Sequence, residues 1–428
     1  MWYKFKMWWN NPAGNLWVMP AVGAIFATVW SLIATASRYF IDPDQVPDIS
    51  IEAVENLLDI ISSSMLAVTT FSLSIMVAAF ASASSSGTPR AYSLMMSDDN
   101  TRLAIASFIS AFIYAVIAKI ALALGYYGPS GRFILFVSTI LVLMYLIYTL
   151  IRWVQTLSQL GTLTTTIGKI EAVAKRSLAQ FRHQPDMGAT GIKPDTNPVF
   201  SVHSECTGYF NNFNIVGLNQ LAKEQGLHLH IHQMPGKFID PLTTLVDVYS
   251  NDPLDLEQQK KLQDTILDHM IIETNRSFLQ DPRFGVLVMS EVGQKAMSAA
   301  INDVGSGISA INALTRVIID SQPEEDMPRL DCPYISIKIF DIREIIYSTF
   351  APMARDCSTN LELNQRLLKC LSMIYHNVPE AEFKQAAEVM AEQVIQRCLK
   401  NFDFQIDRDF LIEEYVSFFP HRPHPNPV

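Results

Sequence analysis

The chain has 428 residues, of which 49% are hydrophobic and 17% charged, and its formal net charge is −10 at pH 7. This acidic balance argues against a nucleic-acid-binding protein, whose phosphate contacts need a concentrated basic surface. Five cysteines, an odd number that includes no CxxC pair, argue against a disulfide-bonded secreted domain. Apolar residues cluster in the first third of the chain, and this clustering predicts a membrane region.

Four long apolar runs predict a transmembrane domain over residues 1–153. About 20 apolar residues are needed to cross ~30 Å of hydrocarbon, and the runs are almost free of charge. The predicted spans are residues 16–37, 60–86, 103–124 and 133–153. The third contains Lys119, which lies about 9 Å along a helix from Gly125. We expect its amine to snorkel to the nearer membrane interface rather than to serve transport.

The distribution of positive charge predicts the orientation of the spans. Basic residues are concentrated in the N-terminal tail, in the loop after the second span and after the fourth span, whereas the loop before the second span is acidic. Both termini are therefore expected in the cytosol. Trp2, Trp8 and Trp9, mixed with Lys4 and Lys6, predict an anchor among the lipid headgroups.

The second span carries small and hydroxyl side chains along one helical face. Ser63, Thr70, Ser74 and Ser82 recur at spacings that align them. One interpretation is close packing between helices, because small residues let backbones approach and hydroxyls bond across the interface. The other is a water-filled path, in which hydroxyls replace oxygens of a solute's hydration shell. The third span has a similar row, mainly of alanine, between residues 104 and 118.

The rest of the chain is predicted to lie in the cytosol, which makes the protein mainly α. A juxtamembrane helix, a linker rich in proline and glycine, a small α+β module, a helical domain and a loose tail follow in order. They cover residues 154–182, 183–198, 199–252, 253–420 and 421–428, respectively.

Three histidines alternate with apolar residues in a predicted strand of the small module. They are His228, His230 and His232. Zinc needs its donors to converge at ~2.0–2.1 Å, whereas alternate side chains on a strand are about 7 Å apart. We therefore interpret the row as a polar strand face facing solvent, and predict no metal site.

Polar side chains are concentrated in one stretch of the helical domain. Apolar residues between them indicate that they border a core, where buried polar groups must satisfy one another. We interpret them as helix caps and a packing network, and a ligand or subunit contact is the alternative. The residues are Arg276, Gln280, Asp281, Arg283, Asn302 and Asp303.

No sequence motif for catalysis is present. The chain has no glycine-rich phosphate loop, no HExxH and no nucleophile elbow around a serine. We therefore predict that it is not an enzyme, that it has no catalytic residues and that it uses no cofactor.

Two segments of the second half of the chain carry a family resemblance. They are residues 276–285 (Arg-Ser-Phe-Leu-Gln-Asp-Pro-Arg-Phe-Gly) and 296–303 (Ala-Met-Ser-Ala-Ala-Ile-Asn-Asp). Both resemble the bacterial predicted membrane proteins grouped as domain of unknown function 2254. The similarity also includes residues 70–72, 86–90, 112–114, 207–209 and 235–238. The chain departs from the family's Ser-Pro-x-Ile-Asn-Asp-Pro pattern, because Ala299 and Val304 replace the two prolines. The resemblance implies a four-span protein of the bacterial inner membrane and supplies no activity.

Two functions remain open from the sequence. The first is a homo-oligomer that forms or gates an ion or small-solute pathway, with the second span lining it and the cytoplasmic part assembling the subunits. Self-association is required because one four-span subunit is too small to enclose a wide pore. The second is a membrane-anchored sensor or scaffold whose cytoplasmic domain binds another protein.

Overall fold

The structure is a computed structural model of the chain. It describes residues 18–36, 46–96, 99–157, 159, 161–323 and 327–422. The aromatic anchor near the N-terminus, the ends of the first predicted span and the last six residues of the predicted tail lie outside these ranges. The described residues form two compact units, divided between Thr166 and Ile167.

The first unit is helical. Three of its helices contain stretches long and apolar enough to cross a membrane: Ile51–Ser82, Asn100–Ala123 and Pro129–Leu157. The helix over the first predicted span has a shorter apolar stretch, Pro20–Trp30, so the described residues supply three candidate spans where the sequence predicted four. In chain order the helices are α1 (Val18–Ala36), α2 (Ile51–Ser86), α3 (Pro89–Met96), α4 (Asp99–Ala123) and α5 (Pro129–Leu157).

The core of the first unit lies where one face of α2 packs with α4 and α5. The α2 residues Leu58, Ile61 and Met65 are buried in one cluster with side chains of both other helices. The alanine row of the third predicted span belongs to this core, since Ala111 and Ala118 on α4 are buried. Close helix packing thus accounts for the α4 row, as small residues let backbones approach.

The second unit combines small sheets with helices. It contains α6 (Leu163–His183) from Ile167 onward. Its other helices are α7 (Ile215–Gln225), α8 (Leu256–Asp268), α9 (Phe284–Ala296), α10 (Val304–Asp320), α11 (Arg343–Asp356), α12 (Leu361–Asn377), α13 (Ala381–Asn401) and α14 (Gln405–Phe418). Its strands are β1 (Phe200–His203), β2 (Gly208–Phe213), β3 (Leu227–Ile231), β4 (Phe238–Ile239), β5 (Thr244–Ser250), β6 (Met270–Glu273) and β7 (Ile335–Ile337). The chain is therefore mainly helical, as the sequence predicted.

Two sheets organise the α+β part, with strand orders β1-β5-β3-β7 and β4-β2-β6. β7 runs parallel to β3, and the other pairs are antiparallel. β6 and β7 lie beyond residue 252, where the predicted module ends. These strands have only four and three residues, too short for a clear alternation of polar and apolar side chains, so their assignment required the partner strands.

The segment between α6 and β1, predicted as a linker, is anchored to the chain before β7. The Gly191 amide donates to the Ile335 carbonyl at 2.8 Å, and the Cys332 amide donates to the Gly188 carbonyl at 2.8 Å. Ala189 is buried in the core of the sheets. The proline and glycine content thus marks an irregular backbone that still packs on the unit.

Candidate functional site

The predicted hydroxyl row is exposed on the surface of the first unit. Ser63, Thr70, Ser74 and Ser82 all lie on the face of α2 opposite its buried residues. The α2 row thus differs in exposure from the α4 alanines, which are buried against other helices of the same chain. Among the described residues, Ser82 lies against the backbone of Gly161, 3.5 Å from its carbonyl, whereas Ser63, Thr70 and Ser74 bond to carbonyls of α2 itself.

The hydroxyls in this row use their hydrogens within the chain. Ser63 donates to the Asp59 carbonyl at 2.6 Å, Thr70 to the Leu66 carbonyl at 3.0 Å and Ser74 to the Thr70 carbonyl at 3.0 Å. A hydroxyl oxygen that has donated its hydrogen still accepts through its lone pairs. The row therefore presents a line of hydrogen-bond acceptors to whatever lies against it.

A different serine of α2, Ser72, lies in the segment 70–72 of the family resemblance and joins two helices. Ser72 is buried and accepts a hydrogen bond from the Trp153 indole at 2.8 Å. Between α4 and α5, the Tyr114 hydroxyl forms hydrogen bonds with the hydroxyls of Ser138 at 3.0 Å and Thr139 at 3.1 Å. Such bonds hold apolar helices in register, because a polar group needs a partner away from water. These contacts were missed from the sequence, since they join residues on different spans.

Lys119 has carboxylate partners at one end of the α2–α4 pair. Its amine lies 2.5 Å from Asp59 and 3.9 Å from Glu55. Both acids belong to α2, which begins nine residues earlier than predicted because Ser50 accepts from the Ala53 amide and caps the helix. From the sequence these acids are expected in a loop, where an ion pair with Lys119 is not predicted.

Four of the six predicted polar residues come together in the second unit. Arg276 contacts the Asp281 carboxylate through Nε at 2.6 Å, and the Arg283 amide donates to the same carboxylate at 3.0 Å. Arg283 also donates to the Pro235 carbonyl at 3.1 Å. Asp281 is only 1% exposed. The three residues therefore form a hydrogen-bonded and ion-paired network centred on a buried carboxylate.

Gln280, in the same loop, bonds to the backbone of β2 instead of to the Asp281 carboxylate. Its side chain accepts from the Phe213 amide at 3.1 Å and donates to the Phe213 carbonyl at 3.3 Å. These two bonds satisfy the backbone at the end of β2, where the ladder stops. Gln280 also lines a cavity of about 300 Å³ together with Pro282 and Leu330.

The turn at Gly236 is part of the network around Asp281, and this contact is not predicted from the sequence. Gly236 has a positive φ of 94°, and a Cβ on this residue would overlap the Asp281 carboxylate. Its amide donates to the Phe210 carbonyl at 2.7 Å. Two segments quoted for the family resemblance, 235–238 and 276–285, therefore meet in one place.

Asn302 and Asp303 lie elsewhere. The 13 residues of α9, about 20 Å of helix, separate them from Arg283. Asp303 caps α10 by accepting from the Ser306 amide at 3.0 Å and the Ser306 hydroxyl at 2.6 Å, and these bonds lower its pKa. Val304 is the first residue of α10, the helix position where proline is well tolerated. The cap is thus kept although the family's second proline is replaced.

The three histidines in and just after β3 do not simply face solvent. Each bonds to a side chain of a neighbouring strand. His228 and His230 both contact the Ser336 hydroxyl of β7 at 2.9 Å, and His232 contacts Asp247 of β5 at 2.7 Å. Within the described ranges, no group of three or more histidine, cysteine or carboxylate side chains is arranged to hold a metal ion. The imidazoles lie half-buried to buried and pair neighbouring strands.

We expect the stability of the chain to fall as the pH is lowered from about 6.5 to about 4. Burial lowers the pKa of His230 to about 4, and His232, Lys193 and His228 act in the same direction while Asp247 opposes them. In this range the unfolded chain binds a proton that the folded chain does not, so the free energy of unfolding decreases. Urea unfolding of the full chain at several pH values, followed by circular dichroism, measures this change.

The His230→Asn variant should show a shallower pH dependence between these limits. His376→Asn, at an exposed position on α12, is the matched control and should keep the slope of the parent. An unchanged slope in His230→Asn would contradict the assignment.

Three apolar helices of spanning length, joined to a polar α+β and helical unit, define a membrane protein. The family model described as "Predicted membrane protein (DUF2254)" matches residues 13–373. The chain therefore belongs to this family, as the resemblance indicated, and the family description states no activity. No curated protein and no solved structure matches the chain.

Proposed function

We propose that the protein is a homo-oligomer in the bacterial inner membrane, and that the hydroxyl row of α2 lines an ion or small-solute pathway. The observation that carries this proposal is the exposure of Ser63, Thr70, Ser74 and Ser82 in a single copy, while the opposite face of α2 is buried. In this arrangement α1 is a fourth span. Both termini and the second unit lie in the cytosol, where the second unit assembles the subunits.

The chemistry of the row suits a path for hydrated solutes. The oxygens of Ser63, Thr70 and Ser74 are exposed and keep lone pairs that can accept, the property that lets a pore replace hydration-shell oxygens. Asp59 lies one helical turn before Ser63, so the polar face continues toward that end of the span. A row facing lipid would gain nothing from these acceptors, because hydrocarbon has no donors.

The size of the membrane region supports oligomerisation. One subunit with four spans is too small to enclose a wide pore, whereas several copies that turn α2 toward a common axis would enclose one. Membrane lipid surrounds the assembly. The proposal includes no nucleic-acid partner, no cofactor and no catalytic role.

Leucine at Thr70 and Ser74 should lower solute flux by roughly tenfold or more, since apolar side chains at a constriction exclude water. The purified full chain is reconstituted into liposomes, and the release of K⁺ and of small neutral solutes is compared with that from empty vesicles. Oligomer mass in detergent, measured by light scattering, should stay the same in the double variant.

Thr149→Leu on α5 provides the matched control. The Thr149 hydroxyl donates to the Tyr145 carbonyl at 2.9 Å, just as Thr70 donates to Leu66, but it lies outside the α2 row. This variant should keep the parental flux. A protein that is monomeric in detergent, or that gives no flux above empty vesicles, would overturn the proposal.

The second candidate is a membrane-anchored sensor or scaffold. Exposed apolar side chains at Phe404, Ile406 and Phe410, in or next to α14, favour it, because such residues are common where proteins meet. This function predicts that serine substitutions at these three positions abolish binding of a cytosolic protein, and that leucine at Thr70 affects stability alone.

A further inference from the structure

A second cavity of about 310 Å³ lies in the second unit, apart from the network around Asp281. Two helices, α10 and α12, supply its walls. Two arginines, two asparagines, a threonine and an aspartate are among the lining residues, so it is more polar than the cavity beside Gln280. Its size is at the lower end of the range for small-molecule sites, ~300–1,000 Å³.

The two arginines are Arg316 and Arg366. Arg316 uses Nε and Nη2 to bind Glu171 at 2.9 and 2.6 Å, and its Nη1 makes no hydrogen bond with any residue that the structure describes. For Arg366, no hydrogen bond or ion pair exists within the described part of the chain. A guanidinium carries five donors in a planar fork that fits carboxylate and phosphate oxygens, so most of this donor capacity remains unused.

The local charge favours an anion. Lys175 lies 2.8 Å from Asp320, the one carboxylate that lines the cavity, and 3.1 Å from Glu171. Two carboxylates are therefore balanced by Lys175 and Arg316, and the charge of Arg366 is in excess. The local charge at the cavity is therefore positive, whereas the net charge of the chain is −10.

A neutral donor lies beside the arginines. The Asn312 side chain accepts from the Cys370 thiol at 3.8 Å, while its amide hydrogens have no partner among the described residues. The cavity is thus lined by one guanidinium group on each helix and by an amide donor on α10. Such groups suit an oxyanion, because charge-assisted bonds from arginine are short and strong.

We propose that this cavity binds a small oxyanion, a phosphate- or carboxylate-bearing metabolite, between Arg366 and Arg316. The ligand shares Arg316 with Glu171 on α6, the helix that follows the last candidate span. This proposal does not depend on the pore, because binding is measured without flux.

The test uses isothermal titration of the full chain in detergent with inorganic phosphate and, separately, with succinate. Binding of either probe is expected, and the stronger of the two identifies the oxyanion. Arg366→Gln should weaken that binding by about tenfold or more, which is the usual loss for one charge-assisted contact. Lys369→Gln removes the same charge from an exposed position on α12 outside the cavity, and should change the affinity by less than about twofold by surface screening.

A third variant covers the case in which Arg366→Gln does not fold. Arg366→Lys keeps the charge but loses the fork, and its affinity should fall severalfold. Absence of binding of both probes to the parent chain would overturn the proposal. So would equal effects of Arg366→Gln and Lys369→Gln, or full affinity in Arg366→Lys.

Discussion

Replacing Asp281 with alanine is expected to destabilise the second unit by about 3–5 kcal/mol. The side chain is 1% exposed and is held by Arg276 and by the backbone and side chain of Arg283. Its loss leaves two largely buried guanidinium groups without their main counter-charge, and removal of one partner from a buried pair costs far more than the pair itself contributes.

Cysteine labelling in urea measures this loss selectively. All five cysteines lie at or after Cys206, whereas all six tryptophans lie at or before Trp153, so thiols report on the second unit and indole fluorescence does not. Burial raises the pKa of Cys357 and of Cys398 to about 12, which keeps both thiols unreactive until the unit unfolds.

The matched control is Asp303→Ala. Asp303 belongs to the same polar stretch of the sequence but caps α10 at the surface, and the loss of an N-cap costs about 1 kcal/mol. Equal losses in the two variants would contradict the buried network around Asp281.

Replacing Gly236 with alanine is expected to cost roughly 2–4 kcal/mol, because two penalties act together. A positive φ of 94° strains any residue with a Cβ, by ~1–3 kcal/mol. The new methyl group would also overlap the Asp281 carboxylate, and overpacking of a filled site costs ~1–3 kcal/mol. The same thiol-labelling assay measures the change in the free energy of unfolding.

Gly226→Ala separates the two penalties. Gly226 ends α7 with a φ of 63°, and a Cβ there would have no atom within 4 Å. It should lose only the strain of the left-handed conformation, about 1–2 kcal/mol. If Gly236→Ala and Gly226→Ala lost the same free energy of unfolding, the predicted overlap between the new methyl group and the Asp281 carboxylate would be contradicted.

These two predictions give the family resemblance a physical basis. Gly236 and Asp281 are far apart in sequence, yet each constrains the other: the carboxylate occupies the space where a side chain would be, and the turn brings the Pro235 carbonyl to Arg283. The same motif in another chain of this family should therefore adopt the same local geometry.

The sequence by itself determined the features that depend on solvation and on local order. The apolar runs predict helices because peptide groups in hydrocarbon must bond within their own segment, and three helices, α2, α4 and α5, are long and apolar enough to cross a membrane. The spacing from Ser63 to Ser82 was sufficient to place these residues on one helical face, and Leu227 to Ile231 alternate as a strand does.

Only the tertiary structure decided which of these features meet. It buried the α4 alanines and left the similar α2 row exposed, although both rows look alike in sequence. It paired Arg182 with Glu380 across 198 positions, gave Lys119 its carboxylates, and separated Asn302 from Asp281. The physical reason is that burial and ion pairing depend on distances between segments, and those distances are set by how the helices and strands pack rather than by residue spacing.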